Sequence, residues 1–461
     1  MAVFEWSSVM PVPADELYAW HVRRGAFERL QPPWQQVSVV DRQGDIEHGG
    51  KLTLAVSFGP LRRRWVTVHR DAVPGRQFVD VQLAGPFARW EHTHRCVPLD
   101  EHCSRLEDHV EYELPGGTAV DRFAAVPAGH MLERLFRFRH ERTRADLARH
   151  AAHAGRSPLR IVVSGASGLI GTQLTAFLTS GGHQVIRLVR RAPRGGDEAF
   201  WDLERAVLAA DLFDGVDAVV HLAGESIASG RWNPARRRTI LESRTDGTTL
   251  IARTLAELAS PPRVLISASA IGYYGSRGDE LLTEESAAGE GFLAEVCKAW
   301  EAALAPARAA GIRTVPVRTG IALSAGGGAL GKMLPAFRAG AGGPIGDGTQ
   351  WMSWVALEDY LGAILHLLCD DSVDGPANLV APQAVTNRDF ARTLGRVLRR
   401  PAFVPLPAAA VHAAFGEMGD HLLLDSAHVA PATLQRSGFE FLYGELEPAL
   451  RVELGLLKAV V

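Results

Sequence analysis

The pattern of apolar and polar positions changes character near residue 150. Before it, the two kinds alternate with a period of two, the spacing of a strand with one buried face. Lys51–Phe58 (KLTLAVSF), Arg64–Arg70 (RWVTVHR), Gln77–Leu83 (QFVDVQL), Trp90–Val97 (WEHTHRCV) and Ser104–Glu113 (SRLEDHVEYE) predict consecutive strands of an antiparallel sheet. A short helix is expected at Ala14–Arg23, with Asp15 and Glu16 in the first turn, where the helix dipole favours acids. A longer helix is expected from about Asp121 to Arg149. A strand meander closed by one long helix is an α+β arrangement.

Beyond the change, Arg160–Ser164 (RIVVS), Gln184–Val189 (QVIRLV), Ala218–Leu222 (AVVHL), Val264–Ser267 (VLIS) and Thr314–Arg318 (TVPVR) are near-continuous apolar runs. Helices are expected between them, the first from about Leu169. Strands apolar on both faces belong to a parallel sheet covered by helices, so this part is expected to be α/β and doubly wound. From about Gly375 the pattern turns irregular, with prolines and short helices ending near Val461. The small, polar run Ala151–Pro158 (AAHAGRSP) reads as a linker. The expected division is therefore 1–150, a linker at 151–158, an α/β domain at 159–375 and a C-terminal segment at 376–461.

Composition adds exclusions. At roughly 150 residues per domain, a chain of 461 residues holds about three domains. Lys and Arg number 49 against 52 Asp and Glu, a net charge of −3, which removes the usual electrostatic reason to expect nucleic acid or an anionic membrane as partner. Cys96, Cys103, Cys297 and Cys369 are too few and too scattered for a disulfide framework. The opening MAVFEWSSVMPVPADE lacks the basic and apolar regions of a signal peptide. No run approaches the ~18 apolar residues of a membrane span, so a cytoplasmic protein is expected. Of the 17 histidines, 11 lie at or before residue 153, whereas glycine concentrates after residue 160.

The most informative stretch is Ser164-Gly165-Ala166-Ser167-Gly168-Leu169-Ile170-Gly171, after a predicted strand and opening a predicted helix. Gly165 suits the tight turn, Gly168 a close approach of backbone to a pyrophosphate, and Gly171 close helix–strand packing. The amides of Ser167, Leu169 and Ile170 then belong to the positive end of the helix, which attracts phosphate. A glycine-rich turn without a ligand is the alternative. An NAD-preferring site usually carries an acid about 20 residues on, for the ribose 2′-hydroxyl. Here Leu188-Val189-Arg190-Arg191 occupies the end of the second strand, with Arg187 and Arg194 nearby, so Arg190 and Arg191 suit a 2′-phosphate and NADP is expected over NAD. A solvated basic strand end is the competing reading.

These segments, with His221-Leu222-Ala223-Gly224 and Ser267-Ala268-Ser269-Ala270-Ile271-Gly272-Tyr273-Tyr274-Gly275, resemble the extended short-chain dehydrogenase/reductase superfamily. Gly224-Glu225-Ser226-Ile227, Arg231-Trp232, Glu242-Ser243-Arg244, Arg318-Thr319-Gly320, Gly331-Lys332-Met333-Leu334-Pro335 and Gly342-Gly343-Pro344-Ile345-Gly346 narrow it to the nucleoside-diphosphate-sugar-epimerase-like group, over about Arg160 to Leu456. The resemblance implies a Rossmann-type fold in which Leu222, Ala223 and Gly224 also line the cofactor. It implies a C-terminal segment on the substrate side. It also implies a mechanism: a tyrosine with a lysine four residues on exchanges a proton with the substrate while hydride passes to or from the nicotinamide, and a serine orients the oxygen. Ser269 is the best match for the serine, with Ser267 second. The tyrosine–lysine pair is degraded: Lys298 is available, but Ala294 stands four before it, and Tyr273 or Tyr274 would have to substitute. An epimerase- or oxidoreductase-type enzyme on a small-molecule substrate is expected, with a catalytically silent NADP-binding sensor as the alternative. A homo-oligomer is left open.

The glycine-rich stretch from Gly326 to Gly348, with Lys332, Arg338, Trp351 and Trp354, reads either as a wall for an anionic or aromatic substrate or as an ordered loop with core aromatics. The first domain resembles the START-like, polyketide-cyclase type of helix-grip domain, on Phe27–Trp34, Trp90–Arg95 and Asp108–Pro115. That resemblance implies an apolar ligand between sheet and helix. His92, His94 and Cys96 alternate and so share one strand face, with His102 and Cys103 nearby. No closed tetrahedral spacing is evident, a solvated sheet face explains the alternation, and no metal is expected.

Overall fold

In the first part of the chain, alternation becomes a seven-stranded antiparallel sheet. Its strands are β1 (Ala2–Met10), β2 (Val37–Gln43), β3 (Lys51–Phe58), β4 (Leu61–Val73), β5 (Gln77–Ala84), β6 (Arg89–Pro98) and β7 (Ser104–Glu113), in the order β1-β7-β6-β5-β4-β3-β2. The computed structural model describes residues 1–58, 61–116 and 118–457. Positions 59, 60 and 117 of the expected first domain, and 458–461 of the expected C-terminal segment, lie outside the described residues. The chain divides into two compact units: Met1–Ser157 with Ala176–Gly182 and the stretch from Val452, and Pro158–Thr175 with His183–Arg451.

Strands β1 and β2 are additions to the sequence reading. Strand β1 pairs with β7 over nine residues, Ala2 against Tyr112 to Met10 against Ser104. Helix α1 (Ala14–Val22) follows it, and the sheet is closed by α2 (Thr118–Ala151), a 34-residue helix. One face of the sheet is buried against α2. Trp90, Val110, Tyr112, Leu132 and Phe136 form a cluster, with the Phe4 and Phe136 rings 5.2 Å apart. Burying each large aromatic contributes about 2–3 kcal/mol. The same parity that buries Trp90 also buries His92, His94 and Cys96, whose exposures are 3%, 8% and 1%. The expectation of a solvated face at these positions is therefore overturned: they point into the unit. From Val452 the chain returns to this unit, where Arg134 Nε donates to the Gly455 carbonyl at 3.0 Å.

In the second unit the apolar runs become a sheet built from β8 (Arg160–Ser164), β9 (Gln184–Val189), β10 (Glu198–Asp202), β11 (Val207–Leu208), β12 (Ala218–His221), β13 (Val264–Ala270), β14 (Arg313–Thr319) and β15 (Ala377–Leu379). The order is β11-β10-β9-β8-β12-β13-β14-β15, parallel except for β11. The sheet thus runs past Gly375, where the sequence pattern turns irregular. Helices α3 (Leu169–Ser180), α4 (Pro234–Ala256) and α5 (Phe292–Ala302) connect the strands. Asn233 caps α4 by accepting from the Arg236 amide at 2.8 Å, and Pro234 starts its first turn. Val162, Val219, Ile251, Leu255, Leu265 and Leu304 sit in one buried cluster between sheet and helices. Chain order reverses between β8 and β12, and a doubly wound sheet binds ligands at the carboxyl ends of strands at such a switch point. This is an α/β Rossmann-type unit.

Candidate functional site

The glycine turn leaves β8 at that switch point, and its glycines do different work. Gly165 has φ +69°, and a Cβ there would stand 2.7 Å from the Leu222 carbonyl carbon and 2.8 Å from the Ala223 nitrogen. A Cβ on Gly171 would meet the Gly165 oxygen at 2.2 Å. Both glycines are required by the protein's own backbone. Gly168 is not: it is exposed, its amide closes the turn onto the Gly165 oxygen at 3.0 Å, and an added Cβ would meet only that oxygen, at 3.3 Å. Ser167 is exposed and Leu169 and Ile170 are half-buried. The first amides of α3, from Leu169 on, have no earlier turn to bond and face outward from the helix start.

The neighbouring strand end is clipped to this turn. Ser164 Oγ accepts from the amides of Leu222 and Ala223 at 3.2 and 3.3 Å and lies 2.6 Å from His221 Nδ1. Ser164 and His221 are register partners on β8 and β12. Burial pushes the His221 imidazole down to about 4, so the ring is neutral and hydrogen-bonded to the serine hydroxyl. The clip fixes Leu222, Ala223 and Gly224 beside the turn.

At the end of β9, Arg191 forks onto Glu198, with both nitrogen–oxygen distances 2.7 Å. Those bonds, together with the Arg194 amide, hold the Glu198 carboxyl down at about 2. Arg187 pairs with Asp197 at 2.8 Å. Arg190 is exposed and pairs with no carboxylate among the described residues.

At the ends of β13 and β14 the side chains form one wired cluster. Ser269, 3% exposed, donates to Glu301 Oε1 at 2.7 Å. Arg318 grips the same carboxylate at 2.9 Å through Nε and at 2.9 Å through Nη2. Its Nη1 donates to the Tyr274 hydroxyl at 2.9 Å, which donates in turn to Asn378 Oδ1 at 2.7 Å. Tyr274 is fully buried, and burial pushes its hydroxyl up to about 12 despite Arg318. Tyr273 is half-buried, with its ring centroid 3.5 Å from the Arg318 guanidinium carbon, and its hydroxyl makes no hydrogen bond among the described residues. Ser267 is buried and turned to the Ala268 carbonyl at 3.4 Å.

Helix α5 presents a different pair to this cluster than the sequence suggests. A Cβ on Gly272 would meet Leu293 Cβ at 3.2 Å and Cys297 Sγ at 3.8 Å, so the inward positions four apart are Leu293 and Cys297. Cys297 is in hydrogen-bond contact with Ser269, and burial pushes its thiol up to about 12. Lys298 follows by about 100° of helical rotation and is exposed. Ala294 is fully buried and Lys298 is exposed, so no hydroxyl stands four residues before this lysine. Glu301 and Arg244 were left out of the sequence-derived site. Arg244 is buried, its guanidinium lies 4.9 Å over the Trp300 ring, and a Cβ on Gly224 would meet its Nη2 at 3.6 Å. The helical period through Glu301 is the signal that finds the inward face of α5. Of the glycine-rich stretch, Trp354 is core, Trp351 stacks on His428 at 4.0 Å, and Lys332 reaches the Ala228 carbonyl at 3.5 Å.

Comparison with known proteins agrees with this geometry. Residues 161–380 match the NAD dependent epimerase/dehydratase family. Residues 10–148 match the polyketide cyclase / dehydrase and lipid transport family, and 406–452 a domain of unknown function, DUF1731. The epimerase family protein Mb2239 of Mycobacterium bovis is 41% identical over 290 residues, which is 63% of this chain and 96% of that protein. The chain belongs to the epimerase family. A solved family structure, the nucleoside-diphosphate sugar epimerase from Corynebacterium glutamicum, is 35% identical with a TM-score of 0.80, covering 98% of this chain and 90% of that one. The human epimerase family protein SDR39U1, solved with NADPH, is 36% identical with a TM-score of 0.59, covering 65% of this chain and 99% of its own. This epimerase family protein is thus an NAD(P)-binding, short-chain dehydrogenase/reductase-like protein with a polyketide-cyclase-like domain ahead of its Rossmann unit. Among the described residues, no helix is long and apolar enough to cross a membrane.

Proposed function

We propose that the Rossmann unit is an NADP(H)-dependent oxidoreductase or epimerase-type site acting on a small molecule. The observation that carries the reading is the turn at Gly165–Gly171. Its outer and inner glycines are closed by the protein's own backbone, while Gly168 leaves room on the open side where a Cβ would otherwise stand. The residues present therefore fit a dinucleotide. The Leu169 and Ile170 amides would receive the pyrophosphate, and Leu222, Ala223 and Gly224 would line its path. Arg190 and Arg191 would receive a 2′-phosphate, with Arg191 pre-oriented by Glu198. The human relative solved with NADPH supports the phosphate-bearing cofactor.

When bound, the nicotinamide supplies or accepts hydride at its ring. The protein's own part is proton transfer and positioning. Tyr273 is the tyrosine free to do it, because the Tyr274 hydroxyl is committed to Arg318 and Asn378. Ser269 is held by Glu301, and the Arg318 guanidinium packs on the Tyr273 ring. Lys298, at the surface, takes no part in this reading.

A second reading, a silent NADP-binding sensor, is favoured by one observation: Leu293 and Cys297 stand on the face of α5 turned to the serine. NADPH titration of the full chain followed by turnover against a panel of carbonyl compounds separates the two. Oxidation of NADPH that falls in Tyr273→Phe with binding intact supports the enzyme. Tight binding without turnover in any pairing supports the sensor. No binding of either nucleotide removes both.

A further inference from the structure

The inner face of the N-terminal sheet carries a chain of acids and imidazoles that an apolar ligand site does not need. His69 on β4, Asp80 on β5 and His92 on β6 are successive cross-strand register partners, as are His94 on β6 and Asp108 on β7. Parity places all five on one face. His69 Nδ1 lies 2.5 Å from Asp80 Oδ1, and His94 Nε2 lies 3.3 Å from Asp80 Oδ2. Asp108 Oδ1 lies 2.9 Å from His92 Nε2 and 2.7 Å from His94 Nδ1, while its Oδ2 meets His140 Nε2 of α2 at 2.6 Å.

We propose that this unit binds a divalent first-row transition ion of the zinc class through Asp80, His92 and His94. One donor atom from each of the three lies within 4.8 Å of the other two. Two ligands about 2.0–2.1 Å from a tetrahedral ion stand about 3.3 Å apart, and His94 Nε2 and Asp80 Oδ2 have that separation, 3.3 Å. Asp108 supplies the outer contact that metal-binding histidines characteristically have. By engaging Nε2 of His92 and Nδ1 of His94, it leaves the opposite ring nitrogen of each for the ion. His69 does the same for the Asp80 carboxylate, and His140 for Asp108.

The burial gradient gives an entry path. Side-chain exposure is 3% at His92 and Asp108 but 22% at Asp80 and 14% at His69. Two nitrogens and one carboxylate oxygen leave a position open, the arrangement of reactive rather than structural metal sites. An ion held by two imidazoles and a carboxylate also adds positive charge beside the buried Asp108, since buried carboxylates are costly unless paired.

The test uses the full chain, stripped by a chelator and titrated with Co²⁺. The proposal expects one equivalent per chain, visible d–d bands of a four- or five-coordinate ion, and displacement by Zn²⁺. His94→Ala and Asp80→Asn should abolish the bands, and His69→Ala should weaken binding by about 10–100-fold. Circular dichroism and thermal melting of all three should stay close to wild type, reporting an intact fold without reference to the nucleotide reading. Should the first two variants fail to fold, the wild-type stoichiometry and His69→Ala carry the decision. A wild-type protein that gives no bands, or bound cobalt indifferent to Asp80, His94 and His69, overturns the proposal.

Discussion

Arg318 stands between Glu301 and Tyr274, donating two bonds of 2.9 Å to the carboxylate and one of 2.9 Å to the phenol. One cation thereby fixes the serine's acceptor and engages the Tyr274 hydroxyl, with the Tyr273 ring against its face. Tyr274→Phe is expected to lower stability by about 1–2 kcal/mol, because Asn378 loses a donor in a buried site. Its effect on turnover should be small beside that of Tyr273→Phe, which should cost about 100-fold or more in kcat with nucleotide affinity unchanged. Urea unfolding and steady-state kinetics on the two variants read this out.

The glycines of the turn should separate in the same way. Gly171→Ala puts a Cβ 2.2 Å from the Gly165 oxygen, so the turn itself must shift, and both stability and nucleotide affinity should fall. Gly168→Val puts a Cβ 3.3 Å from the Gly165 oxygen, a milder contact than at Gly171, and should lower the melting temperature less than Gly171→Ala, yet lose most nucleotide affinity. Thermal melts with and without NADPH distinguish them. A Gly168→Val protein that still shows a full NADPH-induced rise in Tm would remove the phosphate from this turn.

His221 predicts an acid limb to stability. Its folded pKa, about 4, lies below the ordinary 6.5, so the unfolded chain binds the proton first. The contribution is complete above pH 6.5 and is lost as pH falls from there through about 4, by about 3 kcal/mol in all. Denaturant unfolding of wild type and His221→Asn across this range should show a flatter slope in the variant. Parallel slopes would contradict a neutral, buried ring bonded to Ser164.

How much of this was legible depends on distance along the chain. The strand–turn–helix at 160–180 is local, and its residues alone specify it: an apolar strand, glycines at 165, 168 and 171, and a helix start. The cluster of Ser269, Glu301 and Arg318 spans three elements, and nothing within any one of them signals the others. The face of α5 turned to Gly272 and Arg318 is set by the 3.6-residue period running through Leu293, Cys297 and Glu301, which the degraded tyrosine–lysine spacing does not mark. The alternation of His92 and His94 is equally compatible with either sheet face, because a shift of one residue exchanges the two. Their partners Asp80 and Asp108, which decide the matter, lie on neighbouring strands.

The central claim is that the Rossmann unit takes the phosphate-bearing nucleotide through the end of β9. It is tested most directly by titrating NADPH and NADH into wild type and Arg190→Ala/Arg191→Ala. Each charge-assisted hydrogen bond contributes about 1.5–3 kcal/mol, so NADPH affinity should fall at least about 10–100-fold in the double variant. NADH affinity should change little. Equal loss of both nucleotides, or no loss of either, would contradict the account.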